Sequence, residues 1–308
     1  MSTVTVILPT YNRATLLSRA LDSVLEQTFE DFTLLVVDDG STDGTRSVVT
    51  GYEDERVKYV SHDRNRGPSA ARNTALENVE TEFVTFLDSD DRFKRTFLET
   101  SLRTLRDEPN DCAGTCVSYE TLVNHGSRKV EREIIPVPKR IDRENGINDV
   151  TPRFGGLLLR ATATKTVGDF DEHQPYNEDV DYWIRLFKRG YHLRGIQKPL
   201  YQYYIHGNQQ TRNTDTRISG LVTFLKKHDE ALPAAYRAKL YRDLGMAYVQ
   251  QDEFATASRQ FRRAIEDSSG VSMNYWYYLT ARTCPRLLPV GKRAKRVVVE
   301  TRRRSRLS

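Results

Sequence analysis

The chain has 308 residues, 38% apolar and 10% aromatic, enough to bury one large core plus a small appendage, so a disordered chain is not expected. No stretch approaches the roughly 18 to 20 apolar residues that cross a bilayer, and no basic segment followed by an apolar run precedes Val4. A cytoplasmic protein is therefore expected. The net charge of +5 is unevenly spread: residues 292 to 308 carry eight Lys and Arg against the single Glu300, a local +7 that leaves −2 for the rest. Basicity confined to a tail points to an anionic membrane surface touched by the C-terminus, not to a nucleic-acid groove across the body.

From Val4 to about Leu122, short apolar runs alternate with turns and amphipathic stretches, which predicts an α/β fold with a mostly parallel sheet and helices on both faces. The first run is Val4 to Leu8. After Asn12, a candidate N-cap, the positions Leu17, Ala20, Leu21, Val24 and Leu25 fall on one helical face. A second run, Phe32 to Val37, ends at Asp38-Asp39-Gly40-Ser41. A third, Val57 to Val60, leads to Arg66-Gly67-Pro68 and a helix, and a fourth, Phe83 to Leu87, ends at Asp88-Ser89-Asp90-Asp91. In doubly wound sheets ligands sit beyond the carboxyl ends of the strands, so these polar clusters should converge on one crevice.

Residues 124 to 150 are polar with little periodicity and read as a variable excursion. Regular structure resumes at Gly155-Gly156-Leu157-Leu158-Leu159, and Val180, Trp183, Ile184 and Phe187 repeat at helical spacing between Glu178 and Gly190. A strand is expected over residues 199 to 206. Further on, Tyr241, Leu244, Gly245, Tyr248, Phe254, Ala257, Phe261 and Ala264 fit the small and large positions of one tetratricopeptide helical hairpin, near residues 238 to 270. The expected division is a catalytic domain over 1–225 (halves 1–122 and 123–225), a helical region over 226–285 and a basic tail over 286–308. Cys112, Cys116 and Cys284 form no disulfide framework or zinc-site spacing, and read as plain buried thiols.

Two carboxylates one residue apart at the end of a buried strand, Asp88 and Asp90, can share a hard cation with diphosphate oxygens, although Asp is also common in turns. Context decides between the two. Ile7-Leu8-Pro9-Thr10-Tyr11-Asn12-Arg13, Val37-Asp38-Asp39-Gly40-Ser41-Thr42-Asp43, Ala71-Arg72-Asn73 and Phe86-Leu87-Asp88-Ser89-Asp90-Asp91 resemble, in order and spacing, the motifs of family 2 glycosyltransferases. The resemblance covers roughly residues 3 to 210. It implies the GT-A nucleotide-diphospho-sugar transferase fold, a nucleotide-sugar donor and Mn2+ or Mg2+.

On that resemblance, Pro9, Thr10, Tyr11 and Arg13 lie along the base and ribose, and Asp39 accepts from an imide N–H, which suits a UDP-sugar. Arg72 would face phosphate or the metal-binding aspartates, Asp88 and Ser89 the donor, and Asp90, with Asp88, the metal. His206 resembles a histidine that reaches the metal or diphosphate in many such domains, and fits an ordinary strand-end histidine equally well. Asn177-Glu178-Asp179-Val180-Asp181 is similar to the family's acceptor-side Glu-Asp motif. For an inverting transfer one carboxylate suffices as general base, with Asp179 first, Glu178 second and Asp181 third.

The expected acceptor is a sugar or lipid-linked sugar hydroxyl in cell-surface or glycoprotein glycan assembly. A single hairpin is expected to pack on the catalytic domain or on a protein partner rather than stand alone. Two alternatives stay open: a polyprenyl-phosphate sugar synthase, whose ionised acceptor needs no base, and a non-catalytic nucleotide-sugar-binding scaffold.

Overall fold

In the computed structural model, residues 2–124, 130–146, 154–205, 213–267 and 273–283 are described. The chain forms two compact units, residues 1–209 and 210–308. The division expected at residue 225 falls inside a helix of the second unit, α7, defined below.

The first unit is built on one sheet. Strands β1 (Val4–Thr10), β2 (Phe32–Asp38), β3 (Val57–Ser61) and β4 (Phe83–Phe86) run parallel in the spatial order β3-β2-β1-β4. Every residue of β1 and β4 is buried, as expected for strands covered on both faces, where apolar side chains no longer alternate with polar ones. The crossovers are α1 (Leu17–Leu25), α2 (Thr45–Thr50) and α3 (Pro68–Glu77), and α1 buries Leu17, Ala20, Leu21 and Val24 as its spacing predicts. Gly67 precedes α3 and Pro68 opens it, where a missing backbone N–H costs nothing.

Beyond β4 the sheet becomes mixed. It continues through β9 (Leu157–Arg160), β6 (Cys112–Asn124) and β10 (His192–Ile205) to the short β5 (Arg92–Phe93), with β9 antiparallel to both β4 and β6 and β6 parallel to β10. Helix α4 (Phe97–Arg106) joins β5 to β6, α5 (Ala161–Val167) follows β9, and α6 (Glu178–Lys188) leads into β10. Strand β10 extends well upstream of the run at 199 to 206, and Pro199 sits at one of its register shifts, a place a central strand tolerates proline.

The excursion read at 124 to 150 contains two strands, β7 (Val130–Ile135), which pairs with β6, and β8 (Arg140–Ile141), which pairs with β10. The charges that hid β7 are those of a side strand: Glu131, Arg132 and Glu133 are all exposed.

The second unit has four described helices, α7 (Thr214–His228), α8 (Ala234–Gln250), α9 (Phe254–Glu266) and α10 (Met273–Thr283). Gly245 of α8 lies against the Phe261 ring of α9 so closely that a Cβ there would sit 2.5 Å from a ring carbon. Val249, Ala257, Phe261, Tyr277 and Ala281 form this unit's own apolar cluster.

Candidate active site

The carboxyl ends of β1, β2 and β4 lie side by side, and each is followed by a polar loop. The first two loops are laced together. Asn12, in the left-handed conformation at φ 50°, accepts from the Thr42 backbone N–H at 2.9 Å, and its own N–H donates to Ser41 Oγ at 2.9 Å. The Arg13 N–H donates to Thr45 Oγ1 at 2.9 Å and the Ala14 N–H to Asp43 at 3.2 Å. Asn12 is therefore a loop clamp and not the N-cap of α1, which begins four residues after the position a cap predicts and has no side-chain cap.

Pro9 and Thr10 are buried at the end of β1, while Tyr11 and Arg13 are half-buried beyond it. Thr10 Oγ1 is buried without a hydrogen-bond partner in the fold. An unsatisfied buried hydroxyl costs about 1–3 kcal/mol, which a hydrogen-bonding group or a water at the β1 end would offset.

Asp38 and Asp39 are both buried but serve different contacts. Asp38 accepts from the Ser41 N–H at 2.9 Å and from the Tyr59 hydroxyl at 2.7 Å. Asp39 accepts from His62 Nδ1 at 2.7 Å and from the Arg66 and Gly67 backbone N–H groups at 2.9 and 2.7 Å. Its carboxylate thus anchors the loop that feeds α3. Gly40 between these loops is obligatory: at φ +75° a Cβ would lie 2.6 Å from the Arg64 carbonyl carbon.

Below the β4 end sits a chain of charges. Arg72, buried on α3, donates from one end of its guanidinium to Asp88 at 3.0 Å and from the other to Glu178 at 2.9 Å. Burial pulls its pKa down, but the Asp88 and Glu178 carboxylates outweigh burial and leave it above the ordinary guanidinium value. The Phe154 and Phe170 rings stand 5.4 and 5.6 Å from it. These rings belong to a cluster in which Phe154 stacks on Trp183 and Phe170 on Tyr182. The cluster fixes the start of α6 against α3. Asn73 completes the joint by donating to the Phe170 carbonyl and accepting from the Phe170 N–H.

Asp88 and Asp90 are half-buried, whereas Ser89 and Asp91 are buried. Asp91 accepts from the Tyr201 hydroxyl and from the Tyr204 N–H, which ties this loop to β10. Arg19 of α1 donates to the Asp90 carbonyl and lies over the Tyr204 ring. Burial first, then the charges of Asp90 and Asp88, hold the Asp91 carboxyl well above the usual carboxylate range. Asp88 and Asp90, the two carboxylates of this loop that are not fully enclosed, are hard oxygen donors of the kind that fits a divalent cation such as Mg2+ or Mn2+. His206 lies outside the described residues.

On α6, Asn177 takes the left-handed conformation at φ 62° and Glu178, Asp179 and Asp181 occupy the first turn, where the helix dipole favours negative charge. Their environments differ. Asp181 is fully buried and paired with Arg185 at 2.8 Å, and Glu178 is held by Arg72, while Asp179 is half-buried. Sequence reasoning missed Arg19, Tyr59, His62 and Asp91, whose contacts with Asp90, Asp38, Asp39 and Tyr201 each span 21 or more residues of the chain. Elsewhere among the described residues, Glu108, Cys112 and His192 bring ligand atoms within 4.8 Å of one another, a grouping the aspartate loop does not form, but Glu108 is already paired with Arg194 at 3.2 Å. Cys112 and Cys116 are buried free thiols, as expected, and burial pushes Cys116 up to about 12.

Residues 5–168, more than half of the chain, match the glycosyl transferase family 2 model. The chain is a family 2 glycosyltransferase. It is 40% identical over 187 residues to the UDP-Glc:alpha-D-GlcNAc-diphosphoundecaprenol beta-1,3-glucosyltransferase WfgD of Escherichia coli, covering 60% of this chain and 70% of that one. It is 37% identical to a GalNAc(5)-diNAcBac-PP-undecaprenol beta-1,3-glucosyltransferase of Campylobacter jejuni, over 61% of this chain and 60% of that one. The match to an uncharacterized Rickettsia felis glycosyltransferase, at 38% identity, spans only 34% of that longer protein. Among solved structures, S. aureus TarS 1-349 in complex with UDP-GlcNAc superposes with a TM-score of 0.61 at 20% identity, covering 93% of this chain and 92% of that one. The mannosyltransferase PcManGT of Pyrobaculum calidifontis, in complex with GDP-Man and Mn2+, gives 0.54 at 21% identity over 94% and 82%. These two likenesses establish the GT-A fold of this glycosyltransferase. Among the described residues no helix is long and apolar enough to cross a membrane.

Proposed function

We propose that this glycosyltransferase transfers a sugar from a UDP-sugar to a hydroxyl of a lipid-linked glycan acceptor, with inversion, in cell-surface glycan assembly. The observation that carries the reading is the separation of roles among the three acidic residues at the start of α6. Asp181 is fully buried against Arg185 and Glu178 lies against Arg72, and Asp179, half-buried on the first turn with its Oδ1 accepting from the Val180 N–H, is read as the general base. A single displacement on an α-configured nucleotide sugar gives a β product, the linkage carried in the names of both glucosyltransferase relatives.

On this reading the uridine lies along Pro9, Thr10, Tyr11 and Arg13, where the unpartnered Thr10 hydroxyl gains its hydrogen bond. Asp39, whose carboxylate accepts from His62 and from the Arg66 and Gly67 N–H groups, is read as also facing the base. Asp88 and Asp90 would hold Mg2+ or Mn2+, which when bound neutralises the charge that develops on the departing diphosphate. Arg72 keeps Asp88 and Glu178 in register, and Asp179 removes the acceptor proton as the oxygen attacks. We read α8 and α9 as a tetratricopeptide-like hairpin, on the packing of Gly245 against Phe261, with its outer face open to a protein partner. The basic segment 286–308, which lies outside the described residues, is read as an attachment to an anionic membrane surface, where a lipid-linked acceptor resides.

The test is Asp179→Asn, which is expected to lower turnover by about 10²- to 10⁴-fold with UDP-sugar affinity unchanged. Retained turnover would favour an acceptor that is already ionised, such as a polyprenyl phosphate, and an equal loss of donor affinity would place Asp179 on the donor side.

A further inference from the structure

Four of the five exposed large apolar side chains among the described residues fall in α10: Met273, Tyr275, Trp276 and Leu279, each 42 to 47% exposed. Helix α10 turns Asn274, Tyr277 and Ala281 inward against its own unit, so this exposure is not a failure of packing. Tyr275 and Trp276 stand four and three residues before Leu279, and Arg282 three after it, so these exposed residues form one outward stripe. A contiguous apolar stripe with a cationic end marks an interaction surface, and Trp, Tyr and Arg are the side chains that prefer the membrane–water interface.

The stripe borders a groove of about 440 Å³ between α9 and α10, lined by Phe254, Arg259, Arg262, Tyr278 and Arg282. Arg282 donates to the Tyr278 hydroxyl at 2.7 Å, which holds its guanidinium in place. Arg262 also pairs with Glu266 at 3.3 Å, in a contact that is mostly solvated on both sides. Three guanidinium groups around one concavity match phosphate oxygens.

We propose that this face of α10, together with the arginine groove, seats on an anionic phospholipid surface, with Tyr275, Trp276 and Leu279 at headgroup depth and Arg259, Arg262 and Arg282 on lipid phosphates. The inference deepens the membrane reading made for residues 286–308 and locates a second, structured contact. Charge selects this occupant. The chain's own C-terminal segment carries +7 over residues 292 to 308 and is repelled by the groove. A second copy paired face to face would set arginine against arginine.

The experiment uses the full chain with vesicles of phosphatidylcholine alone or with 30% phosphatidylglycerol as the probe. Of the two tryptophans Trp183 is buried and Trp276 exposed, so a blue shift in emission on vesicle binding reports α10. Wild type is expected to pellet with the anionic vesicles and to shift blue. Tyr275→Ser/Trp276→Ser/Leu279→Ser should lower partitioning at least tenfold, and Arg259→Gln/Arg262→Gln/Arg282→Gln should lose the preference for anionic lipid. Circular dichroism and UDP affinity serve as controls for the fold. If both triple variants pellet like wild type while replacing the eight basic residues of 292–308 by Gln abolishes binding, the α10 proposal fails and the tail reading stands. If wild type binds neither vesicle, both fail. If the serine variant converts a dimer to a monomer in the absence of vesicles, the face is a contact between copies and the proposal is overturned.

Discussion

Replacement of Arg72 separates the structural from the chemical share of the site. The side chain is buried and its two ends reach carboxylates 16 and 106 residues away in the chain, Asp88 at 3.0 Å and Glu178 at 2.9 Å. Removing one member of a buried ion pair costs about 3–5 kcal/mol because it strands the partner's charge. Here the Glu178 side chain is 18% exposed but Asp88 is 38% exposed, and water screens the latter, so about 2–4 kcal/mol is expected for Arg72→Ala. In a unit of 209 residues that corresponds to a fall in Tm of roughly 5–15 °C. Arg72→Lys keeps the charge but replaces a two-ended fork by a point donor that reaches one carboxylate at a time. Its expected signature is a fall in Tm of less than half that of the alanine variant, with turnover lowered about 10- to 100-fold, equivalent to about 1.4–2.7 kcal/mol of transition-state stabilisation. Differential scanning calorimetry and initial rates on the two variants give the comparison. Turnover of the lysine variant within twofold of wild type, or a Tm of the alanine variant within 2 °C, would refute the bridging role.

Asp181→Asn should destabilise the first unit by about 2–4 kcal/mol in denaturant unfolding, because Asp181 is fully buried against Arg185, and should leave UDP affinity unchanged in the folded fraction. Undiminished stability with lost turnover would instead make Asp181 the base. Tyr59 is held neutral by burial first and then by Asp38, which accepts from its hydroxyl, and its pKa is pushed up to about 12. A folded pKa above the unfolded value contributes stability that is complete below about pH 10 and lost as pH rises through about 12. The difference in absorbance at 295 nm between wild type and Tyr59→Phe should therefore show one phenol that does not ionise between pH 9 and 11, and a normal transition near 10 would contradict the contact.

The four parallel strands and the helices between them were legible because each is a local pattern: apolar runs of four to seven residues, a turn, then a helical stripe. The convergence of the polar loops after β1, β2 and β4 followed from parallel topology alone. What stayed hidden depends on distant partners. Nothing local to Glu178 announces that Arg72 will claim it, whereas Asp181 and Arg185 form an (i, i+4) pair that the helix spacing does announce and that ranks Asp181 last as a base. Strand β7 escaped because its Glu and Arg residues describe its exposure and not its backbone. Asn12 read as a cap because Asn favours both N-caps and left-handed turns, and only the contacts to Ser41 and Thr42 distinguish them.

The charge balance at the end of β4 makes one further prediction, with a sign that a purely steric account would not give. Asp88 and Asp90 lie two residues apart while burial favours the neutral form of Asp91, and of the guanidinium groups at this loop Arg72 is already shared between Asp88 and Glu178 and Arg19 is held on the Asp90 carbonyl. Two unit charges 4 Å apart interact by about 4 kcal/mol at an effective dielectric of 20, so a diphosphate entering this loop without a cation meets a repulsion comparable to a large part of its binding energy. UDP measured by titration calorimetry should therefore bind about 100-fold or more weakly in excess chelator than with Mn2+, a difference of about 2.7 kcal/mol. Asp90→Ala should remove that metal dependence, because one of the two exposed oxygen donors is gone, and should abolish turnover. In chelator, however, the variant should bind UDP as tightly as wild type or a few-fold more tightly, since a negative charge has been removed from the diphosphate's neighbourhood. The half-buried position of Asp90 lets the loop keep its anchors, Asp91 to Tyr204 and Arg19 to the Asp90 carbonyl, in the variant. If Asp90→Ala instead weakens UDP equally with and without Mn2+, the carboxylate acts by shaping the loop and not by holding a cation, and the charge argument fails.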